Sequence, residues 1–437
     1  MTKCAPKMLE LPNCLRRKVE VNFQAGDVSS DGGALLLRQI DKQIGLTQAL
    51  SDVIPDPRNQ DMITHPHLAL LKQRIYGIAC GYEDLNDHTT LRNDPGFQTV
   101  VERDETLASA STLCRLDNRS GRQIAFDVHR VYMEQFLASF ESPPTELILD
   151  FDATDDRVHG NQEGKHYHGY YKHHCFLPLY VFCNDQLLVS YLRPSDHDAA
   201  LHAWAILKLL VKRIRQAFPD TKIIFRGDSG FCRHRMFNWC DRHDVGYIVG
   251  MGKNNCLLAL AQPLINQSKK THEETKETVR LFDEFMYSAK TWRHERRMIV
   301  KAEHTVKGSN PRFVVTNLSD NPQTLYDTRY CARGDMENRI KEQKLGLFSD
   351  RTSCHAWWAN QFRVLLSSAA YCLIEAIRRK ALGNTPFAKA QVTTIRLKLF
   401  KIGAIIIRNT RRVKFLLSSA YPHQSIFFSA LQKLSSG

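Results

Sequence analysis

The chain has 437 residues, 43% hydrophobic and 24% charged, with a formal net charge of +14. That balance is globular, long enough for two to four domains, and its basic surplus favours a polyanionic partner, nucleic acid ahead of membrane. No run of about 18 apolar residues offers a membrane span.

Residues 1 to about 30 read as a lead-in with one strand, Val19 to Phe23. Lys3, Lys7 and Glu10 interrupt its short apolar runs, so it does not resemble a signal peptide. The twelve cysteines are scattered singly. With no C-x-x-C pair they read mostly as buried thiols of a reduced, cytoplasmic protein. From Asp31 the pattern turns helical: Leu35, Leu36, Leu37, Ile40 and Ile44 precede Gly45, and His67 to Ile78 precedes Gly81. Leu107 to Leu116 and Ile124 to Phe140 continue it. The expectation is a helical N-terminal domain over 1–141, with a helix-turn-helix-like DNA reader preferred on charge.

Ser142-Pro143-Pro144 breaks the pattern. Beyond it Glu146 to Phe151, His174 to Phe182, Gln186 to Leu192, Lys222 to Phe225 and Gly246 to Met251 read as strands, with helices over Ala199 to Phe218 and Cys232 to His243. Such an order builds a mixed sheet covered by helices, an α/β domain. From 254 to 326 short alternating stretches, Met298 to Glu303 and Phe313 to Thr316, predict a mostly β insertion. His355 to Ala381 is a strongly apolar helix. After Glu375 no acidic residue appears, while Arg378, Arg379, Lys380, Lys389, Arg396, Lys398, Lys401, Arg408, Arg411, Arg412 and Lys414 do. The segment from Ile395 to Leu417 reads as strand-like, and 383–437 as a basic surface for DNA outside the cleavage site.

The chemistry gathers around Y-C-A-R-G-D-M-E-N-R-I-K-E-Q-K, Tyr330 to Lys344. Tyr330, Arg333, Glu337, Lys341 and Lys344 step by three or four, one stripe of a helix, with a lone carboxylate among cations. On spacing alone this is an ordinary solvated helix. Upstream, Asp150 and Asp152 share one face of a strand, and Asp228 closes another strand in R-G-D-S-G-F, where ligand sites of α/β sheets favour the carboxyl ends. Three separated acids of this kind suit a phosphoryl-transfer site with two Mg²⁺ or Mn²⁺ ions.

These residues resemble a family. Tyr330, Arg333, Glu337 and Lys344 match the Y-(2)-R-(3)-E-(6)-K signature of bacterial insertion-sequence DDE transposases. Asp152-Ala153-Thr154 is similar to the first-aspartate segment, G-D-S-G-F at Asp228 to the second, and H-G-N-Q-E-G at His159 to Gly164 to the branch termed DDE domain group one. The resemblance covers roughly Glu146 to Leu382. It implies an RNase H-like catalytic domain over 142–253 and 327–382, a β-rich insertion domain over 254–326, and a metal triad of Asp152, Asp228 and Glu337. It also implies that Tyr330, Arg333 and Lys344 contact the DNA backbone. Asp150 stays open as an alternative first ligand.

Lys341, on the same stripe, joins the DNA-contacting set. Trp292, between Lys290 and Arg293, offers a face for an extruded base or for packing. His159, His166, His168, His173, His174 and Cys175 crowd one region without a zinc-motif spacing, which favours exposed or DNA-facing histidines. The expectation is a DNA transposase that binds the terminal inverted repeats of its element, cleaves and transfers strands, and works as a homodimer on double-stranded DNA. A nuclease of the same fold without strand transfer, or a non-cutting DNA binder, are the alternatives.

Overall fold

Glu146–Ala153 (β1) carries two sets of side chains in alternation. Leu147, Leu149 and Phe151 point to one face of a sheet and are buried among helices, while Ile148, Asp150 and Asp152 point to the other. The computed structural model describes residues 8–435, and among these β1 lies inside a nine-stranded mixed sheet. The other long strands are, in chain order, Leu179–Cys183 (β2), Gln186–Tyr191 (β3), Lys222–Gly227 (β4), Gly246–Met251 (β5), Val279–Tyr287 (β6), Arg296–Thr305 (β7) and Arg312–Thr316 (β8). Across the sheet they run β6-β7-β8-β5-β4-β1-β2-β3, with the short Gly308–Ser309 strand against β7. β4 is parallel to both β1 and β5, and the other pairings are antiparallel.

The helix-covered face takes its apolar partners from Arg122–Leu137 (α1), Ala203–Ala217 (α2), His234–Arg242 (α3) and Asn255–Thr275 (α4). Phe136, Leu207, Phe237 and Leu257 meet Leu149, Phe225 and Val249 there, each such burial stabilising by roughly 1.5–3 kcal/mol. On the opposite face Ile224, Ile248, Ile299 and Val314 pack beneath Leu325 and Tyr326, with Tyr330 partly covered beside them. Gly334–Lys341 (α5) and Trp357–Ile377 (α6) follow, and α6 sets Tyr371 edge-on to Phe182 at 5.7 Å.

Several expectations need correction. The stretch 254–326 is not mostly β, because α4 fills its first third. Its Asn254 cap accepts from the Leu257 amide at 2.9 Å, but a polar composition and the internal Pro263 obscure the helical period. β6, β7 and β8 extend the central sheet instead of forming a sheet of their own. The strand expected over His174 to Phe182 is two strands. Pro178 lacks the N–H that would continue the ladder, so His173–Phe176 enters a separate small sheet while β2 joins the main one. The turn at Asn184-Asp185 forms as expected, with Asn184 at φ 53.

The sheet belongs to a compact unit of residues 117–372; residues 1–116 and 373–437 form a second. In the second unit Leu35–Ile44 and Leu46–Val53 meet at Gly45, φ 67, and His67–Cys80 ends at Gly81, φ 96, as the glycine positions suggest. Its chain ends meet in a sheet of Val28–Ser29, Ala404–Asn409 and Arg412–Leu417. A closing helix, Gln424–Ser435, was not anticipated. Part of the basic tail is spent internally: Arg396 donates to the Ala79 carbonyl at 2.8 Å, Lys401 pairs with Asp31 at 2.7 Å, and Arg408 donates to Gln98 at 2.9 Å. Arg411, Arg412 and Lys414 remain exposed.

Among the described residues no cysteine is in a disulfide, but only Cys80, Cys175, Cys183 and Cys240 are buried, fewer than expected. Cys4, Lys3 and Lys7 lie outside the described residues. No described helix is long and apolar enough to cross a membrane.

Candidate active site

Register places the two aspartates. Arg226 pairs with Asp150 and Gly227 with Phe151 across the parallel β1–β4 ladder, so the next residues, Asp152 and Asp228, leave adjacent strand ends side by side. Strand spacing puts such neighbours about 5 Å apart at the backbone. Asp228 remains extended and caps the Ser229–Phe231 turn, its Oδ1 accepting from the Gly230 amide at 2.9 Å.

Glu337 arrives from α5, and Arg333 joins it to the strand. One Arg333 Nη donates to Asp152 Oδ2 at 3.2 Å and the other to Glu337 Oε1 at 2.6 Å. Burial pushes the Asp152 carboxyl up to about 7; the Arg333 guanidinium opposes the shift, and the Asp228 and Glu337 carboxylates add to it. Burial is the largest cause, so the carboxyl is withdrawn from solvent as well as set beside two other acids. A cavity of about 290 Å³ opens between the two segments, lined by Asp152, Thr154, Glu337, Lys341, Lys344 and Leu345.

Asp150 does not share this site. Arg226, its partner across the ladder, grips both its carboxylate oxygens, Nη2 to Oδ2 at 2.6 Å, and both side chains are buried. Its position on the Asp152 face is as expected, but its charge is committed.

The helix expected from Tyr330 to Lys344 is present but irregular. Leu325–Tyr330 and Glu342–Gly346 are wider, π-type turns on either side of a short helical middle, a feature frequent at functional sites. Arg333 and Glu337 keep their one-turn contact. Tyr330 is half-buried against Tyr326, ring centroids 5.5 Å apart, with its hydroxyl over Gly250, where a Cβ would strike it. Lys341 stays exposed at the cavity rim.

Lys344, in the second π-type turn, reaches the chain leaving β1. Its ammonium donates to Thr154 Oγ1 at 3.1 Å and to the Asp155 carbonyl, and lies 3.4 Å from the Asp155 carboxylate and 3.8 Å from that of Asp156. Asp156 is wholly buried, and burial pushes its carboxyl up to about 8, opposed by Lys344 and reinforced by Asp350 and Asp155. Sequence reading missed Asp155 and Asp156 as partners of this lysine; the acidic run D-A-T-D-D was the available signal.

Trp292 is not brought to the acids. It packs half-buried on the helix-covered face, edge-on to Phe237 at 6.0 Å and to Tyr287 at 5.7 Å, with the Arg296 guanidinium 5.9 Å from its ring. Among the described residues no group of three or more His, Cys, Asp or Glu side chains is gathered closely enough to hold a metal. At the acids, Arg333 holds both Asp152 and Glu337.

The sequence matches the family model for transposase DDE domain group 1 over residues 11–436. The chain belongs to that DDE transposase family. No curated protein matches it. Among solved structures it is similar to a piggyBac transposase synaptic complex with hairpin DNA, at 9% identity and a TM-score of 0.40, over 84% of this chain and 78% of that one.

Proposed function

We propose that this chain is a DNA transposase that binds the terminal inverted repeats of its element, cleaves a strand at each end and joins the freed 3′-hydroxyl to target DNA. Asp152, Asp228 and Glu337 are its acidic triad, on an RNase H-like catalytic core. The observation that carries the reading is the placement of Asp152 and Asp228 at adjacent parallel strand ends, with Glu337 tied to Asp152 through one cation, Arg333.

The donor set fits divalent metal. Three carboxylates are hard oxygen ligands, and Asp152 is buried beside the Asp228 and Glu337 carboxylates, each of which adds to the upward shift of its pKa. Arg333 stands where a second source of positive charge belongs. Asp152, Asp228 and Glu337 would hold two divalent ions, whose chemistry would be activation of an attacking oxygen and stabilisation of a leaving one.

The chain's own residues do the rest. Arg333, once freed from the carboxylates, offers a bidentate grip to a phosphate. Lys341 supplies a point charge at the cavity rim. Lys344, tied to Thr154 and Asp155, positions the segment that follows Asp152, a role added here to the DNA contact expected of it. Pairing two ends calls for two copies of the chain on double-stranded DNA. Cleavage of a supercoiled plasmid carrying the element's ends, in Mg²⁺, tests the activity. Transfer of a pre-cut end into a second plasmid separates it from a nuclease.

A further inference from the structure

Beside the acids stands a ribbon whose side chains have no role in the account so far. His166–His168 and His173–Phe176 pair antiparallel, Tyr167 opposite His174 and His168 opposite His173. The second of these strands also pairs with Asp156–Arg157, so the ribbon is hydrogen-bonded to the chain just leaving β1. His173 Nε2 lies 2.8 Å from the Asp155 carboxylate, which Lys344 holds from its other side. Tyr171 packs against His168, centroids 4.8 Å apart. Its phenol is pushed up to about 12 by burial, with Asp155 and Asp152 adding, which places it within electrostatic reach of the candidate catalytic aspartate.

The other face of the ribbon is open. Opposed residues share a face, and here Tyr167 and His174 meet edge-on at 5.6 Å with both exposed. At the tip Tyr170 is 83% exposed, next to Lys172, whose backbone is left-handed at φ 58. No acidic residue occurs between Glu163 and Asp185, while Lys165, Lys172, four histidines and three tyrosines crowd 165–174. Aromatic faces interleaved with cations suit nucleic acid. In intact duplex the base faces are already covered by their neighbours, so a tyrosine can stack only on a base freed at a nick or an end.

We propose that the 165–174 ribbon is a stacking platform for unpaired nucleotides next to the cleavage site, with Tyr167 and Tyr170 taking bases and Lys172 an adjacent phosphate. The inference rests on the transposase reading and adds to it the form of DNA held beside the acids. Stacking on one aromatic residue is typically worth about tenfold or more in affinity per base.

The test uses the full chain without divalent metal and two fluorescent probes of arbitrary sequence, a blunt 20-base-pair duplex and the same duplex with a four-nucleotide overhang carrying 2-aminopurine. Wild type is expected to bind the overhang duplex at least tenfold more tightly and to quench the 2-aminopurine. The Tyr167→Ala/Tyr170→Ala double variant, its fold checked by circular dichroism, is expected to bind the blunt duplex like wild type while losing the preference and the quench. Tyr170→Trp is expected to retain both. A double variant that keeps the preference, or a wild type that binds both duplexes equally, overturns the platform and leaves the transposase reading standing. A wild type that binds neither duplex overturns both.

Discussion

At the residue scale the site turns on where positive charge goes. Arg333 bridges Asp152 and Glu337 with charge-assisted hydrogen bonds, the stronger class of such contacts. A cation entering the site has to displace them. Arg333→Ala is therefore expected to bind Mn²⁺ more tightly, about fivefold, in a calorimetric titration without DNA, while cleaving more slowly. Weaker Mn²⁺ binding would contradict that competition.

Asp150 gives the complementary case. Removing it leaves the Arg226 guanidinium buried without its carboxylate, so Asp150→Ala is expected to cost about 3–5 kcal/mol in chemical denaturation. Asp156 carries a pH signature. Its carboxyl, pushed up to about 8 by burial, keeps its proton in the folded chain where the unfolded chain, with a carboxylate pKa of about 4, has lost it. The stability this site contributes is full at low pH and declines as pH rises toward 8, by at most about 1.4 kcal/mol per unit. Asp156→Asn cannot ionise, so its melting temperature relative to wild type is expected to climb between pH 5 and pH 8. A flat difference would mean that Asp156 is ionised and paired with Lys344.

At the scale of elements, strand ends and a distorted helix meet over a glycine. Gly250 leaves room for the Tyr330 hydroxyl, and a Cβ there would also come within 3.2 Å of the Ser229 backbone nitrogen, next to Asp228. Gly250→Ala is expected to destabilise by about 1–3 kcal/mol and to slow cleavage, because it pushes the Tyr330 segment and the Asp228 turn together. Unchanged melting and cleavage would show that neither is seated as described.

What was legible here followed strong local signals. β1, β4 and β5 were short apolar runs bounded by turns, and the glycines after Ile44 and Cys80 mark helix ends where they do. What was not legible depends on distant chain. Nothing local in α4 shows that its sparse apolar stripe of Leu257 and Ala261 finds cover. The pairing of residue 28 with 405 joins segments from the two chain ends. In the site, the candidate acids were named from their motifs, and the register that sets Asp152 beside Asp228 follows from the pairing of their strands. The commitment of Asp150 was not legible, because Arg226 lies far along the chain, and neither was the contact of Lys344 with Thr154 and Asp155, which are likewise distant in sequence.

For the whole molecule, charge and family give one physical picture. A net charge of +14 favours polyanion binding, although Arg396 and Lys401 are engaged by internal partners. Affinity for duplex DNA is expected to fall steeply with salt as counterions are released, by about 10³ or more between 50 and 200 mM if six or more phosphates are neutralised. Fluorescence anisotropy at a series of ionic strengths measures the slope, and a salt-independent affinity would rule out backbone contact as the main source of binding.

The central claim is that Asp152, Asp228 and Glu337 act together on DNA. Cleavage of an end-bearing plasmid in Mg²⁺ by wild type and by Asp152→Ala, Asp228→Ala and Glu337→Ala, with DNA binding scored in the same reactions, tests it most directly. Each variant is expected to lose cleavage by about 10³ or more, as when a charge-stabilising group is removed from an active site, while holding DNA as tightly as wild type. Any one of the three cutting at the wild-type rate would contradict the account.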